Sequence, residues 1–280
     1  MSSIKKKLKN KIRSYIFGWK HYKKEYALMG ISRMEIIRLF QLSNLKKGVV
    51  STTLYNHPIH TFNNYFWYLH SIDELFIEEV YKCRFNTDTP VILDCGANIG
   101  LSVIYFKKLF PKARVTAFEP DNNLYNNILF NIDSFKLSDV EVVNKGVWKE
   151  STTLHFSAGG TLGGTIVENN SNLSNLISIE TVRLREYLNT KIDFLKIDIE
   201  GAEYEVIKDI KDLLVNVDNL FLEYHSEGNS PQVLHVMLQW IQEAGFKYHI
   251  KNAWENQKYP FIEKGHPIFD MQLNIFCYRV

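Results

Sequence analysis

From residue 91 onward, hydrophobic and polar positions alternate between two periods. Apolar runs of strand length stand at 91–95, 113–118, 140–144, 193–198 and 219–225. Between and after them, apolar residues recur at three and four near 100–109, 121–132, 203–214 and 231–244, the spacing of a single helix face. This rhythm predicts an α/β fold with a mainly parallel sheet covered by helices on both faces. One stretch breaks it. Between 145 and 190 the pattern gives extra strands at 152–156 and 176–182, separated by Gly159-Gly160-Thr161-Leu162-Gly163-Gly164, and so predicts a β insertion. Strand character returns at 247–250 and 274–280. Ahead of residue 91, Met34, Ile37, Arg38, Phe40 and Gln41 suit a helix, and 49–55 with 59–62 suits a hairpin around His57-Pro58. Asp73, Glu74, Glu78 and Glu79 interleave with Leu75, Phe76, Val80 and Tyr81, predicting an amphipathic helix over 72–81. The expected organisation is an N-terminal helical extension with a short β element, 1–70, followed by the α/β domain, 71–280.

Charge changes this picture at one end only. Net charge over the 280 residues is +2, which gives no global signal for nucleic acid. Residues 1–24, however, hold nine Lys or Arg and no acid, so the rest of the chain carries −7. Ile4, Leu8, Ile12, Tyr15, Ile16 and Trp19 give that segment one apolar face. A basic amphipathic helix of this kind lies on an anionic membrane surface or packs on its own domain with the basic side in solvent. It lacks the apolar core of a signal peptide. No apolar run reaches the roughly 18 residues of a spanning helix. Cys83, Cys95 and Cys277 show neither metal spacing nor the even count of a disulfide framework. The expectation is a cytoplasmic protein, peripheral to the inner face of a membrane if residues 1–24 touch lipid.

Candidate chemistry begins where the first α/β strand ends. Val91-Ile92-Leu93-Asp94-Cys95-Gly96-Ala97-Asn98-Ile99-Gly100 is a strand, a glycine-rich turn and a helix start, the architecture of a nucleotide-binding corner. A carboxylate ahead of the first glycine would repel a pyrophosphate and attract an ammonium or sulfonium group. Asp94, Gly96, Ala97, Asn98 and Gly100 therefore point to S-adenosylmethionine (SAM) before NAD, whose fingerprint is G-x-G-x-x-G. The following strand ends at Glu119-Pro120. Glu119 stands nineteen residues after Gly100, where nucleotide folds place an acid on ribose hydroxyls.

Two further strands end in charge. In Phe194-Leu195-Lys196-Ile197-Asp198-Ile199-Glu200-Gly201-Ala202-Glu203, Lys196 and Asp198 share one face of a strand that should be apolar, and Glu200 follows beyond its end. A structural ion pair is the plain alternative for Lys196 and Asp198. Glu203 is accounted for by the dipole of the helix it opens. Leu220-Phe221-Leu222-Glu223-Tyr224-His225 delivers His225 to the same sheet edge if the strands are neighbours. Asp198, Glu200, Glu223 and His225 could gather around one hard divalent ion, but their spacing carries no metal signature and no metal ligand is assigned.

Together these stretches resemble the FkbM family of SAM-dependent methyltransferases over roughly residues 70–250. Asp94–Gly100 is similar to the family's first motif, Phe118-Glu119-Pro120 to its ribose-side motif, Lys196–Glu203 to its most distinctive motif, and Glu223-Tyr224-His225 to its acid-and-histidine strand end. The resemblance implies a Rossmann-like class I methyltransferase sheet of seven strands. It also implies methyl transfer to a hydroxyl of a sugar, glycan or related metabolite, as in bacterial surface-glycan assembly, with a lipid-linked acceptor suiting the basic N-terminus. SAM would then lie with Asp94 at its amino acid end, Glu119 on the ribose and Asn144 at the adenine edge. Asp198, Glu200 or His225 would accept the hydroxyl proton, with Lys196 orienting Asp198. The alternatives are a non-catalytic SAM-binding partner of a glycan-assembly complex and an NAD-dependent oxidoreductase.

Overall fold

A computed structural model describes residues 16, 18, 20–43, 49–61, 65–157, 176–228, 230–255, 257–262 and 269–280. The segment Gly159–Gly164 and most of the basic segment 1–24 lie outside the described residues. The chain forms two compact units that interleave in sequence. The first joins the residues up to Cys83 with Asn98–Leu109 and Asn123–Ser138, and the second joins Arg84–Ala97, Phe110–Asn122 and Asp139–Val280.

The first unit contains helix α1 (Arg33–Ser43), strands β1 (Val50–Leu54) and β2 (His57–Thr61), and helices α2 (Tyr65–Ile72), α3 (Leu101–Leu109) and α4 (Asn122–Ser134). The strands pair as a hairpin with Leu54 opposite His57, so the turn is Tyr55-Asn56 and His57-Pro58 belongs to the returning strand. Tyr55 and Asn56 both have positive φ, 51° and 65°. Two consecutive left-handed residues match the twist of a tight hairpin, and Asn tolerates that conformation well. Helix α2 runs on into a single wide π turn, Asp73–Ile77. The helix expected over 72–81 is therefore the end of one that starts at Tyr65 and stops at Ile77, and the chain turns at 78–81 with Glu79 at φ +50°. Tyr81 stacks on Phe106 and Phe76 meets Tyr105 edge-on, which places α3 in this unit's core.

The second unit holds strands β3 (Val91–Cys95), β4 (Arg114–Phe118), β5 (Val140–Val143), β6 (Gly146–Trp148), β7 (Thr153–Ser157), β8 (Leu176–Arg183) and β9 (Ile192–Ile197). After these come helix α5 (Glu203–Ile210), strand β10 (Val217–Glu227), helix α6 (Leu234–Glu243), and strands β11 (Lys247–Trp254) and β12 (Phe269–Tyr278). Seven of the strands form one sheet in the order β11-β12-β10-β9-β3-β4-β5. Pairing is parallel from β10 to β5, and β12 runs antiparallel to both β10 and β11. Central β9 is buried at all six positions, as a strand covered on both sides must be, while edge strand β11 is mostly exposed. Val206, Ile207 and Ile210 of α5 and Met237 and Ile241 of α6 join Leu195 and Leu222 of the sheet in one core. The β insertion is a small sheet, β6-β8-β7, whose first member was too short to read from the sequence.

Strand order reverses between β3 and β9: β4 and β5 succeed β3 on one side, and β10 succeeds β9 on the other. Ligands of open α/β sheets bind outside the carboxyl ends of the strands at such a reversal.

Candidate active site

Parallel register explains why the charged residues of distant stretches meet. Asp94 of β3 lies opposite Lys196 of β9, and Lys196 lies opposite Phe221 of β10. Opposed residues of a sheet share a face, and so do residues two apart along a strand. Asp94, Lys196, Asp198, Glu223 and His225 are thereby brought to one face at one end of the sheet. Lys196 Nζ stands 3.2 Å from Asp94 Oδ1 and 3.3 Å from Asp198 Oδ2, and it donates to the Gly96 carbonyl at 2.8 Å. Burial alone would lower its pKa, but Asp94 and Asp198 outweigh burial and raise it above the ordinary lysine value. Lys196 is thus a permanent cation that ties the end of β3 to the end of β9. Asp94, fully buried, belongs to that tie as much as Asp198 does.

Beyond β9 the chain makes a left-handed turn. Glu200 has φ +57° and Gly201 φ +103°. Glu203, 1% exposed at the start of α5, accepts from the backbone N–H of Ile199 and, with both oxygens, from that of Gly201. The same Oε1 lies 3.1 Å from His225 Nδ1. A carboxylate already accepting backbone N–H groups on that oxygen acts as an acceptor there, so Nδ1 carries a proton and donates it. The other ring nitrogen, Nε2, faces Glu223 Oε1 at 3.5 Å and Glu200 Oε2 at 3.6 Å, and the Phe269 ring packs against the imidazole. Burial would lower the His225 pKa, yet Glu203, Glu223 and Glu200 overcome burial and raise it well above the usual imidazole value. Glu200 is pushed up to about 8, by burial first and then by Asp198, Glu223 and Glu203, with His225 opposing. Glu223 is raised by burial and by Asp198. Donor atoms of Asp198, Glu200 and His225 lie within 4.8 Å of one another. A metal ion held there would require Nε2 of His225 to be deprotonated, because an imidazolium offers no lone pair.

The turn after β3 packs closely on the ends of the neighbouring strands. Gly96 has φ +86°, and its N–H and that of Ala97 both donate to the Phe118 carbonyl at 3.0 Å. Glu119 follows Phe118, is 6% exposed, and accepts from the Asp121 N–H at 3.0 Å, which curls the chain around its carboxylate at Pro120. Asn144 donates its amide to the Glu119 carbonyl at 2.9 Å and the Pro120 carbonyl at 3.3 Å, so it braces this turn from the end of β5. The second unit therefore gathers Asp94, Gly96, Ala97, Glu119, Pro120, Asn144, Lys196, Asp198, Glu200 and His225. Asn98 (φ +54°) and Gly100 (φ +81°, packed under Ile128) are placed in the first unit. Sequence reasoning missed Glu203 and Phe269. Nothing in an acid's place within a first helical turn separates a dipole partner from a buried anchor, and Phe269 is distant in the chain.

Around Lys196 and His225, the carboxylates of Asp94, Asp198, Glu200, Glu203 and Glu223 outnumber the cations. That donor set suits a positively charged ligand beside a glycine turn. The sequence model described as the methyltransferase FkbM domain matches residues 94–248, more than half of the chain. The chain belongs to the FkbM methyltransferase family. Among curated proteins, Methyltransferase 1 of Beauveria bassiana is 25% identical over 175 residues, covering 54% of this chain and 70% of that protein. The 2-O-methyltransferase NoeI of Sinorhizobium fredii is 30% identical over 159 residues, covering 49% of this chain and 64% of NoeI. A solved FkbM methyltransferase from Methylobacillus flagellatus superposes with a TM-score of 0.47 at 13% identity, over 94% of this chain and 58% of that one. Membership makes this FkbM protein a SAM-dependent methyltransferase and sets the nicotinamide alternative aside. Among the described residues no helix is long and apolar enough to cross a membrane.

Proposed function

We propose that this FkbM protein is an O-methyltransferase acting on a hydroxyl of a sugar, glycan or related hydroxylated metabolite. The observation that carries the reading is Glu200, held in a left-handed turn above His225 at the carboxyl edge of the sheet. Its pKa of about 8 suits a group that must take a proton near neutral pH. Likeness to a protein named as a 2-O-methyltransferase supports an oxygen acceptor.

SAM, when bound, supplies an electrophilic methyl group on a sulfonium. Asp94, Gly96 and Ala97 would receive its amino acid end, Glu119 and Pro120 its ribose, and Asn144 the adenine edge. The chain's own part is to hold the acceptor oxygen in line and remove its proton, positioning being the larger contribution. Glu200 accepts that proton on its carboxylate. His225 remains protonated beneath it and limits how far the Glu200 pKa climbs. Lys196 fixes Asp198, which borders the same space and orients the acceptor hydroxyl. A lipid-linked acceptor at the cytoplasmic face of a membrane would suit the basic stretch 1–24.

Radiolabelled methyl transfer from SAM to a panel of glycosides tests this directly. Glu200→Gln is expected to lower kcat by about 100-fold or more while S-adenosylhomocysteine affinity stays near wild type. Full turnover in that variant would reject Glu200 as the proton acceptor, and transfer confined to nitrogen or carbon acceptors would reject O-methylation.

A further inference from the structure

We propose that Glu203 is the positioning residue of this site, its one carboxylate fixing both the turn that presents Glu200 and the protonated Nδ1 of His225. The inference rests on the reading of Glu200 as the proton acceptor.

Three contacts meet on a side chain with almost no solvent exposure. The N–H groups of Ile199 and Gly201 flank Glu200, and both end on Glu203 at 3.1 Å. A residue whose two neighbours are tied to one anchor has little freedom in its own backbone. That explains how a non-glycine residue is kept at φ +57°, a conformation otherwise costly for an L-residue. The third contact, to His225 Nδ1, fixes the ring's orientation and protonation, as a carboxylate behind a histidine does in metal and hydrolase sites. With Nδ1–H donated to Glu203, the protonated Nε2 faces Glu200 and Glu223.

Each charged group facing His225 comes from a nameable element. Glu203 comes from α5, Glu200 from the turn after β9, and Glu223 from β10 itself. Behind them Asp198 acts on Glu200 and Glu223, and Lys196 acts on Glu223. Strand β12 packs the uncharged Phe269 against the ring. Of these, Glu203 makes the shortest approach to the imidazole and is the most deeply buried acid.

Nitrogen-15 NMR of the histidine rings in the full wild-type chain is the first test. Both ring nitrogens of His225 are expected to be protonated at pH 7, with a slowly exchanging Nδ1 proton. An ordinary imidazole titration, or an unprotonated Nδ1, would overturn the proposal without any variant being made. In Glu203→Gln the neutral amide still accepts from the backbone but no longer charges the pair. The His225 titration is then expected to fall by about one to three pH units. The variant also removes the small upward push of Glu203 on Glu200, but the opposing charge of His225 is the larger of the two, so the limb of the kcat profile belonging to Glu200 should move to higher pH. Glu203→Asp, which keeps the charge, should recover most of both. A purely structural anchor would lower kcat without moving either titration, and that result would overturn the proposal. If the wild type transfers no methyl to any hydroxyl, the NMR arm still decides Glu203 and only the O-methyltransfer reading fails.

Discussion

Gly96 shows how closely two strand ends can be drawn together when one residue has no side chain. A Cβ at that position would sit 1.9 Å from the Asp198 carbonyl oxygen, on a backbone with φ +86°. The nearest atom is main chain of the neighbouring strand end, so relief requires moving Asp198 itself. Gly96→Ala is expected to destabilise the protein by about 2–4 kcal/mol, from the left-handed backbone and the overpacking together. Urea unfolding monitored by tryptophan fluorescence measures it, and an unchanged midpoint would show that the two ends separate freely. Gly96, Lys196 and Asp198 were legible in the sequence for a physical reason. Charges inside an apolar run, and a glycine after a strand-ending acid, are anomalies that a plain core does not produce. Glu203 was not legible, because an acid in the first turn of a helix is what any helix would favour. Asn144 was placed correctly at a strand end, but its hydrogen bonds to the Glu119 and Pro120 carbonyls depend on the register of β5 against β4.

At the scale of elements, the strands that build the site were read within about two residues of their observed bounds, as period alone allows. The sequence pattern puts the hairpin turn two residues late, because Pro58 resembles a turn residue. Within the pair it sits opposite Thr53 on a two-stranded sheet, where the missing N–H costs little. What closes the open edge of β2 was invisible from the sequence. Asn131 of α4, fully buried, accepts from the His60 N–H at 2.7 Å and donates to the His60 carbonyl at 3.0 Å and the Ile99 carbonyl at 2.8 Å. One side-chain amide therefore pairs with both backbone groups of His60, as a neighbouring strand would. Contacts of this length in sequence have no periodicity to betray them. Asn131→Ala should cost about 3 kcal/mol, most of it from backbone groups left without partners. Hydrogen exchange at the His60 amide reads the local effect, and protection equal to wild type would mean that water replaces the amide at little cost.

The whole molecule carries the site's charge as a dependence of stability on pH. Glu200, Glu223 and His225 all hold protons more tightly in the folded state than their ordinary values allow. For each, the stabilising contribution is fully present below the unfolded pKa and is lost as pH rises through the folded one. For Glu200 that loss is centred near pH 8, and for His225 it lies above the usual imidazole range. His70, lowered by burial, has the opposite sign, but its window lies on the acid side of 6.5. Glu35, lowered on balance because its bonds to Arg38 and Thr52 outweigh burial, acts only in the carboxylate range. Between pH 7 and 8.5 the buried cluster therefore dominates, and the folded state binds more protons than the unfolded one. One proton retained across that interval corresponds to about 2 kcal/mol, or a fall in Tm of about 4 °C toward the alkaline end. Scanning calorimetry of the cofactor-free protein at pH 7.0 and 8.5 measures it, and Glu200→Gln should reduce the difference by the Glu200 share, because its amide does not titrate, while the share of His225 remains. A Tm that holds level or rises over this interval would mean that neither the acids nor His225 hold protons in the folded state beyond those of the unfolded chain. The carboxylates of the sheet edge would then need a cationic ligand, rather than protons, to hold them together.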